Sequence, residues 1–265
     1  MPTTEVDGVS ISYEDRGSGE PALLCLTGWC SSKGRYEHLV PLLARHRRTL
    51  AFDWRGHGDS QRDVDDFGQD AMVADALGVI EDAGVDRVVP VAASHSGWVA
   101  IELRRRLGAK RVPNVVHMDW MVVEPSERYM DVIRMLQSPE TWPQARDTLF
   151  TIWRAGVDSE EVERVIAVMR EQGADMWMRS GREIAGAYER NGSPLAAYER
   201  LDPAPTDVLH VYGQPEDPEY LRVQREFAAE HPWFRVQTVP ARTHFAMVET
   251  AEEAAEAIEA FIRAD

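Results

Sequence analysis

Six short apolar runs, separated by segments of helical period, constrain this chain more tightly than any other feature of it. They are Pro21–Leu26, Thr49–Asp53, Val88–Val91, Asn114–Met118, Asp207–Tyr212 and Phe234–Val239. Strands buried on both faces read as near-continuous apolar stretches rather than alternating ones, so these runs fit a parallel sheet covered by helices. The helical period shows in Tyr36, Leu39, Val40 and Leu43 within 36–45, and in Met72, Val73, Ala76, Leu77 and Ile80 within 69–83. Further helices are expected from Trp98 onward, over Glu219–Ala229 and over Ala251–Ile262, with 242–245 as a loop before the last. Alternation through residues 4–14 around Asp7-Gly8 predicts an antiparallel hairpin ahead of them all. Strands alternating with helices imply right-handed crossovers, hence an α/β fold with a mostly parallel, doubly wound sheet.

The alternation lapses over 124–200, which is helical throughout, with breaks at Pro125, Pro139, Gly156, Gly173 and Gly192–Pro194. Aromatic and sulfur-bearing side chains gather there: Trp142, Phe150, Trp153 and Met176–Met178. Extra core helices would bury tryptophans equally well, but the strand pattern resumes afterwards, which favours a cap inserted over the sheet. The expected organisation is a core from 1–123 and 201–265 with a helical cap at 124–200.

Composition narrows the partners. A formal charge of −16 disfavours nucleic acids and anionic membranes, both of which would be repelled. No apolar run approaches the ~20 residues that span a bilayer, and MPTTEVDGVS carries no basic or apolar export signal. Cys25 and Cys30 read as buried free thiols in a reduced cytoplasm, because no further Cys or His stands at metal-ligand spacing.

In open α/β sheets ligands sit outside the carboxyl ends of the strands. Ser94 lies there, between a buried strand and a helix. It reads either as a plain helix N-cap or as a nucleophile on a tight elbow, although Ala92 and Ser96 replace the glycines of G-x-S-x-G. His244 follows the last strand, and two aspartates, Asp119 and Asp217, follow earlier ones. Ser…Asp…His is the chain order of the α/β-hydrolase fold. Asp217 sits in the acidic loop GQPEDPEY, whereas Asp119 lies between His117, Met118, Trp120 and Met121, an apolar setting that demands a partner; Asp119 is favoured. Trp29, after the first parallel strand, and His95 are placed to offer backbone N–H groups to one oxygen, while Trp29 also reads as a packed aromatic. The turn Arg55–Ser60 is given a structural role.

The chain also resembles a particular family. TGWC at 27–30, DWRGHG at 53–58, SHSGWV at 94–99, MDW at 118–120, RSGREI at 179–184, RNGSP at 190–194, HPWF at 231–234 and RTHF at 242–245 are similar to the cofactor-independent 3-hydroxy-4-oxoquinoline and 3-hydroxy-4-oxoquinaldine 2,4-dioxygenases. The resemblance runs through nearly the whole chain. It implies an α/β-hydrolase fold that uses neither metal nor flavin, with a small aromatic N-heterocycle and O2 as substrates, and carbon monoxide and an N-acylanthranilate as products. It implies that His244, paired with Asp119, takes the proton of the 3-hydroxyl. Ser94 would then hydrogen-bond the substrate without attacking it, Trp29 and His95 would hold an oxygen, and Trp153 would line the pocket from the cap. The chain departs from the quinaldine-cleaving members at Ser31 and Ala93, where they carry histidine, and at Ser96, where they carry glycine. The less polar pocket suits a 2-alkyl group longer than methyl. Two other readings stand beside this one: a serine hydrolase of an ester, lactone or amide with Ser94 as nucleophile, and a non-catalytic ligand-binding protein.

Overall fold

The apolar runs assemble into one eight-stranded sheet in the computed structural model, which describes residues 1–201, 206–214 and 217–263. β1 (Thr3–Val6) and β2 (Val9–Arg16) form the hairpin, turned by Asp7 and Gly8 at φ 50° and 76°. Two successive left-handed residues give the turn whose twist matches that of paired strands. There follow β3 (Ala22–Leu26), α1 (Leu39–Leu43), β4 (Thr49–Phe52), α2 (Gln69–Asp82), β5 (Val88–Ala93), α3 (Gly97–Arg111) and β6 (Asn114–Met118). Helices α4 (Glu127–Met135), α5 (Trp142–Arg154), α6 (Glu160–Arg170), α7 (Ala174–Asn191) and α8 (Pro194–Glu199) intervene before β7 (Asp207–Tyr212). The chain then runs through α9 (Pro218–Glu230), β8 (Phe234–Thr238), α10 (Ala246–Glu249) and α11 (Ala251–Arg263).

The strand order is β1-β2-β4-β3-β5-β6-β7-β8, with β2 antiparallel to β4 and all later neighbours parallel. Every residue of β3, β4, β5 and β6 is buried, which is why those segments read as unbroken apolar runs. The chain crosses from β3 to β4 on one side and then from β4 back to β5 on the other, so the winding reverses at β3. The crevice at such a switch point is where open α/β sheets bind ligands. Among the described residues no helix is long and apolar enough to cross a membrane, and Cys25 and Cys30 are free and buried.

One expected helix is shorter than its pattern. Residues 36–45 give a 3-10 turn at Lys33–Tyr36 and then α1 alone. Pro41 has no N–H for the carbonyl of Glu37, so a helix cannot run back through that residue. The short helix α10, directly after the His244 loop, was not expected from the sequence pattern.

The turn after β5 is tight enough to dispense with the usual glycines. Ser94 holds φ +54°, and the Ser96 hydroxyl lies 2.9 Å from the Leu26 carbonyl and 2.8 Å from that of Ala93. The glycine is needed one residue later: a Cβ on Gly97 would stand 2.2 Å from the indole of Trp120. Gly97→Ala is therefore expected to cost about 1–3 kcal/mol of stability in urea denaturation, the usual range for overpacking; an unchanged midpoint would show that the indole has room to move.

Candidate active site

Three adjacent strands end in left-handed, non-glycine residues: Cys30 just past β3 (φ 62°), Ser94 at the end of β5 (54°) and Asp119 after β6 (46°). This conformation costs roughly 1–2 kcal/mol for a residue with a Cβ, so the surroundings must hold it. The Cys30 N–H donates to Nε2 of buried His57 (3.0 Å), whose Nδ1 lies 2.9 Å from the Arg55 carbonyl, and the Trp54 indole N–H donates to the Thr27 carbonyl (2.8 Å). Burial lowers His57 to a pKa of about 4, so it stays neutral and accepts that bond. The WRGHG turn thus shapes the loop that carries Trp29. The Trp29 N–H meets no acceptor among the described residues, and its indole stacks on Phe67 at 5.6 Å.

Asp119 is 2% exposed. Its Oδ1 accepts from the N–H groups of Gly213 (2.9 Å) and Gln214 (3.4 Å), and its Oδ2 from that of Ala246 (2.9 Å). Burial outweighs these donors and the nearby Arg35, and raises the carboxyl to about 6. Asp217, the other candidate, is an exposed cap of α9, its Oδ1 accepting from the Glu219 N–H at 2.9 Å; Pro215 and Glu216 of that acidic stretch lie outside the described residues.

His244 is placed by the other side of the cavity. Its N–H donates to the Trp153 carbonyl (2.9 Å), and its ring stacks on the Trp153 indole with centroids 5.2 Å apart and planes 17° from parallel. Burial first, and then the charges of Arg35 and His95, depress its pKa to about 3, so it is an unprotonated base at working pH. Among the described residues no hydrogen bond joins its ring to Asp119. The link between them is the backbone N–H of Ala246, two residues past the histidine.

His95 contributes more than a backbone N–H. The Trp120 indole, which can only donate, reaches its Nδ1 at 3.2 Å, so in the neutral ring Nε2 carries the proton and donates to the Tyr129 hydroxyl at 2.6 Å. Burial lowers His95 to about 3 and keeps it neutral. Tyr129 thereby has its oxygen occupied and its own O–H free to point at a ligand. No sequence signal marks it, because it sits in the charged first turn of α4 and meets His95 only through the fold.

Ser94, His95, Tyr129, Trp153 and His244 wall two adjoining chambers at the strand ends. The outer, of about 110 Å³, reaches Asp119, Gln214 and the half-exposed Ile152. The inner, of about 30 Å³, runs from Trp29 between Ile133, Leu149, Met169 and Ile184. A larger hollow of about 280 Å³ beside Lys33, Asp53 and Asp59 contains none of the residues that bear this chemistry. Among the described residues no group of three or more His, Cys, Asp or Glu stands where it would hold a metal ion. The arrangement offers a neutral base, a serine hydroxyl, a tyrosine donor and backbone N–H groups inside apolar walls, a setting suited to drawing a proton from a flat, weakly acidic ligand.

Residues 23–257 match the model of the alpha/beta hydrolase family. The chain is 38% identical over 262 residues to the 2-heptyl-3-hydroxy-4(1H)-quinolone dioxygenase of Mycobacteroides abscessus, covering 98% of this chain and 97% of that one. It is 34% identical to the 1H-3-hydroxy-4-oxoquinoline 2,4-dioxygenase of Pseudomonas putida, over the full length of both. A solved structure of an AqdC variant in complex with its substrate, described as recognising and cleaving the ring of the Pseudomonas quinolone signal, superposes with a TM-score of 0.94 at 35% identity, covering 100% of this chain and 99% of that one.

The raised carboxyl of Asp119 makes a prediction about stability. A group whose pKa is higher in the folded state contributes stability below its unfolded pKa, near 3.8, and loses it as pH rises through the folded value, near 6. Measured by urea denaturation, the advantage of the wild type over Asp119→Asn should shrink by about 2 kcal/mol between pH 4 and pH 7. A constant difference across that range would refute the raised pKa.

Proposed function

Because the chain belongs to the alpha/beta hydrolase family and, within it, to the cofactor-independent 2,4-dioxygenases that cleave 3-hydroxy-4-quinolones, we propose that it opens the ring of a 2-alkyl-3-hydroxy-4(1H)-quinolone with O2. The observation that carries this reading is His244: a partly buried, uncharged base that shares the inner chamber with Ser94. A proton taken from the 3-hydroxyl leaves an electron-rich ring anion that can reduce O2 directly. C2 and C4 each gain one oxygen atom, C3 departs as carbon monoxide, and an N-acylanthranilate remains. The protein needs to supply deprotonation, orientation and exclusion of water.

In this reading His244 is the base, and Asp119 holds its loop and stabilises the imidazolium by its charge. The Ser94 hydroxyl, the N–H groups of Trp29 and His95 and the Tyr129 hydroxyl hold the substrate oxygens. Trp153 stacks behind the base, and the inner chamber takes the alkyl group. The helices of 124–200 act as the cap over a core of 1–123 and 201–265. The net charge of −16 supports a small-molecule partner rather than a nucleic acid or an anionic membrane.

The left-handed Ser94 also fits a serine hydrolase, and mutation separates the two. His244→Ala should lower kcat by about 10²–10⁴-fold in either case. Ser94→Ala should leave turnover within about tenfold if the serine only donates a hydrogen bond, and abolish it if the serine forms an acyl intermediate. Incubation of the wild type with 2-heptyl-3-hydroxy-4(1H)-quinolone should consume substrate and release carbon monoxide only when O2 is present; consumption under anaerobic conditions would overturn the dioxygenase reading. Tyr129→Phe should reduce kcat/KM by roughly tenfold, the worth of one hydrogen bond to a charged oxygen, and no change would remove Tyr129 from the site.

A further inference from the structure

We propose that Arg35 is a substrate-binding cation that holds the deprotonated quinolone by its two adjacent ring oxygens. This rests on the dioxygenase reading. Arg35 stands on the 3-10 turn after β3, is 3% exposed, and lines the inner chamber with Trp29, Ser94 and His244. Three other buried cations, Lys33, Arg55 and Arg179, each meet a carboxylate, at Asp53, Asp75 and Asp66. Arg35 meets none among the described residues. Its Nη2 rests 3.6 Å from the Met247 sulfur, its guanidinium lies 5.4 Å over the Phe245 ring, and its Nε has no hydrogen-bond partner.

A buried charge without a counter-ion costs several kcal/mol, which a ligand of opposite charge would return on binding. Gly28 lies between the guanidinium and Ser94. A Cβ built there would lie 3.3 Å from Arg35 Nη1 and 3.5 Å from Ser94 Cβ, so the absence of a side chain lets the cation approach the serine. The ionisable groups around Arg35 are Tyr36 on its own turn, Asp119 beyond β6 and His244 on the loop before α10, with His95 facing His244. Asp119 is engaged by three backbone N–H groups and acts on Arg35 only through its field.

The substrate anion supplies what this arrangement lacks. When the 3-hydroxyl gives its proton to His244, the electron pair stays on O3 and its charge spreads to C2, while O4 already carries density donated by the ring nitrogen. Two neighbouring oxygens in one plane match the guanidinium fork. The same cation that makes His244 a weaker base makes the hydroxyl a stronger acid, so the proton can move without a charge being left unpaired.

The test is an anaerobic absorbance titration of 2-heptyl-3-hydroxy-4(1H)-quinolone bound to the enzyme, which reads ionisation of the ligand directly. In the wild type the bound ligand should ionise at lower pH than the free one. Arg35→Met should raise the bound midpoint by at least one pH unit and lower kcat at least tenfold, and Arg35→Lys should recover part of both. Arg35→Gln repeats the measurement should the methionine variant not fold. Unchanged midpoints in folded, neutral variants would overturn the proposal while leaving the dioxygenase reading intact. A wild type that neither binds the quinolone nor consumes O2 would overturn both.

Discussion

The buried carboxylate of Asp119 is the interaction on which the site depends. It takes backbone N–H groups from the end of β7 and from the loop that bears His244, and so joins three chain segments at one side chain. Each of those N–H groups would otherwise be buried without a partner. Trp120, the next residue, makes the complementary set of contacts. Its N–H donates to His210 Nε2 at 3.3 Å, its carbonyl accepts from the Tyr220 hydroxyl at 2.5 Å, its indole N–H orients His95, and its ring fills the space that Gly97 leaves. Asp119 therefore positions the base, and Trp120 positions the start of α3 with Ser94. A change at either residue reaches both halves of the site.

The histidines around this hub are polar but uncharged. Burial depresses His57, His95, His117, His210 and His244 alike. Four of them spend that neutrality on structure: His57 receives Cys30, His95 relays Trp120 to Tyr129, His117 meets Tyr198 at 2.8 Å, and His210 meets Gln224 at 2.6 Å. His244 alone keeps its ring free of hydrogen bonds among the described residues and faces the cavity. A neutral imidazole held among aromatic rings can accept a proton at ordinary pH, and the absence of competing donors leaves it available to a ligand.

Much of this was legible in the residues. Unbroken apolar runs such as Val88–Val91 and Asn114–Met118 became fully buried parallel strands, and the Asp7-Gly8 turn closed the expected hairpin. Membership of the quinolone 2,4-dioxygenases was visible in short motifs such as MDW and RNGSP. The helix pattern at 36–45 misled, because side-chain spacing does not register the hydrogen bond that Pro41 cannot make. Asp119 could be preferred to Asp217 from its apolar neighbours. That it meets the His244 loop through Ala246 could not be read, since that contact joins residues 127 positions apart.

The sequence by itself determined the order of elements and which residue types stand at the ends of the strands, because apolar period and turn chemistry are local properties. Only the tertiary structure decided what those residues face. Tyr129, 34 positions from His95, becomes a donor because the tautomer of His95 is set by Trp120. Arg35 becomes an unpaired cation because, among the described residues, folding brings to it a sulfur and an aromatic ring but no carboxylate. Hydrogen-bond partners and the electrostatic setting of a buried charge are long-range properties of the packed chain, and they decide here which groups are free to act on a ligand.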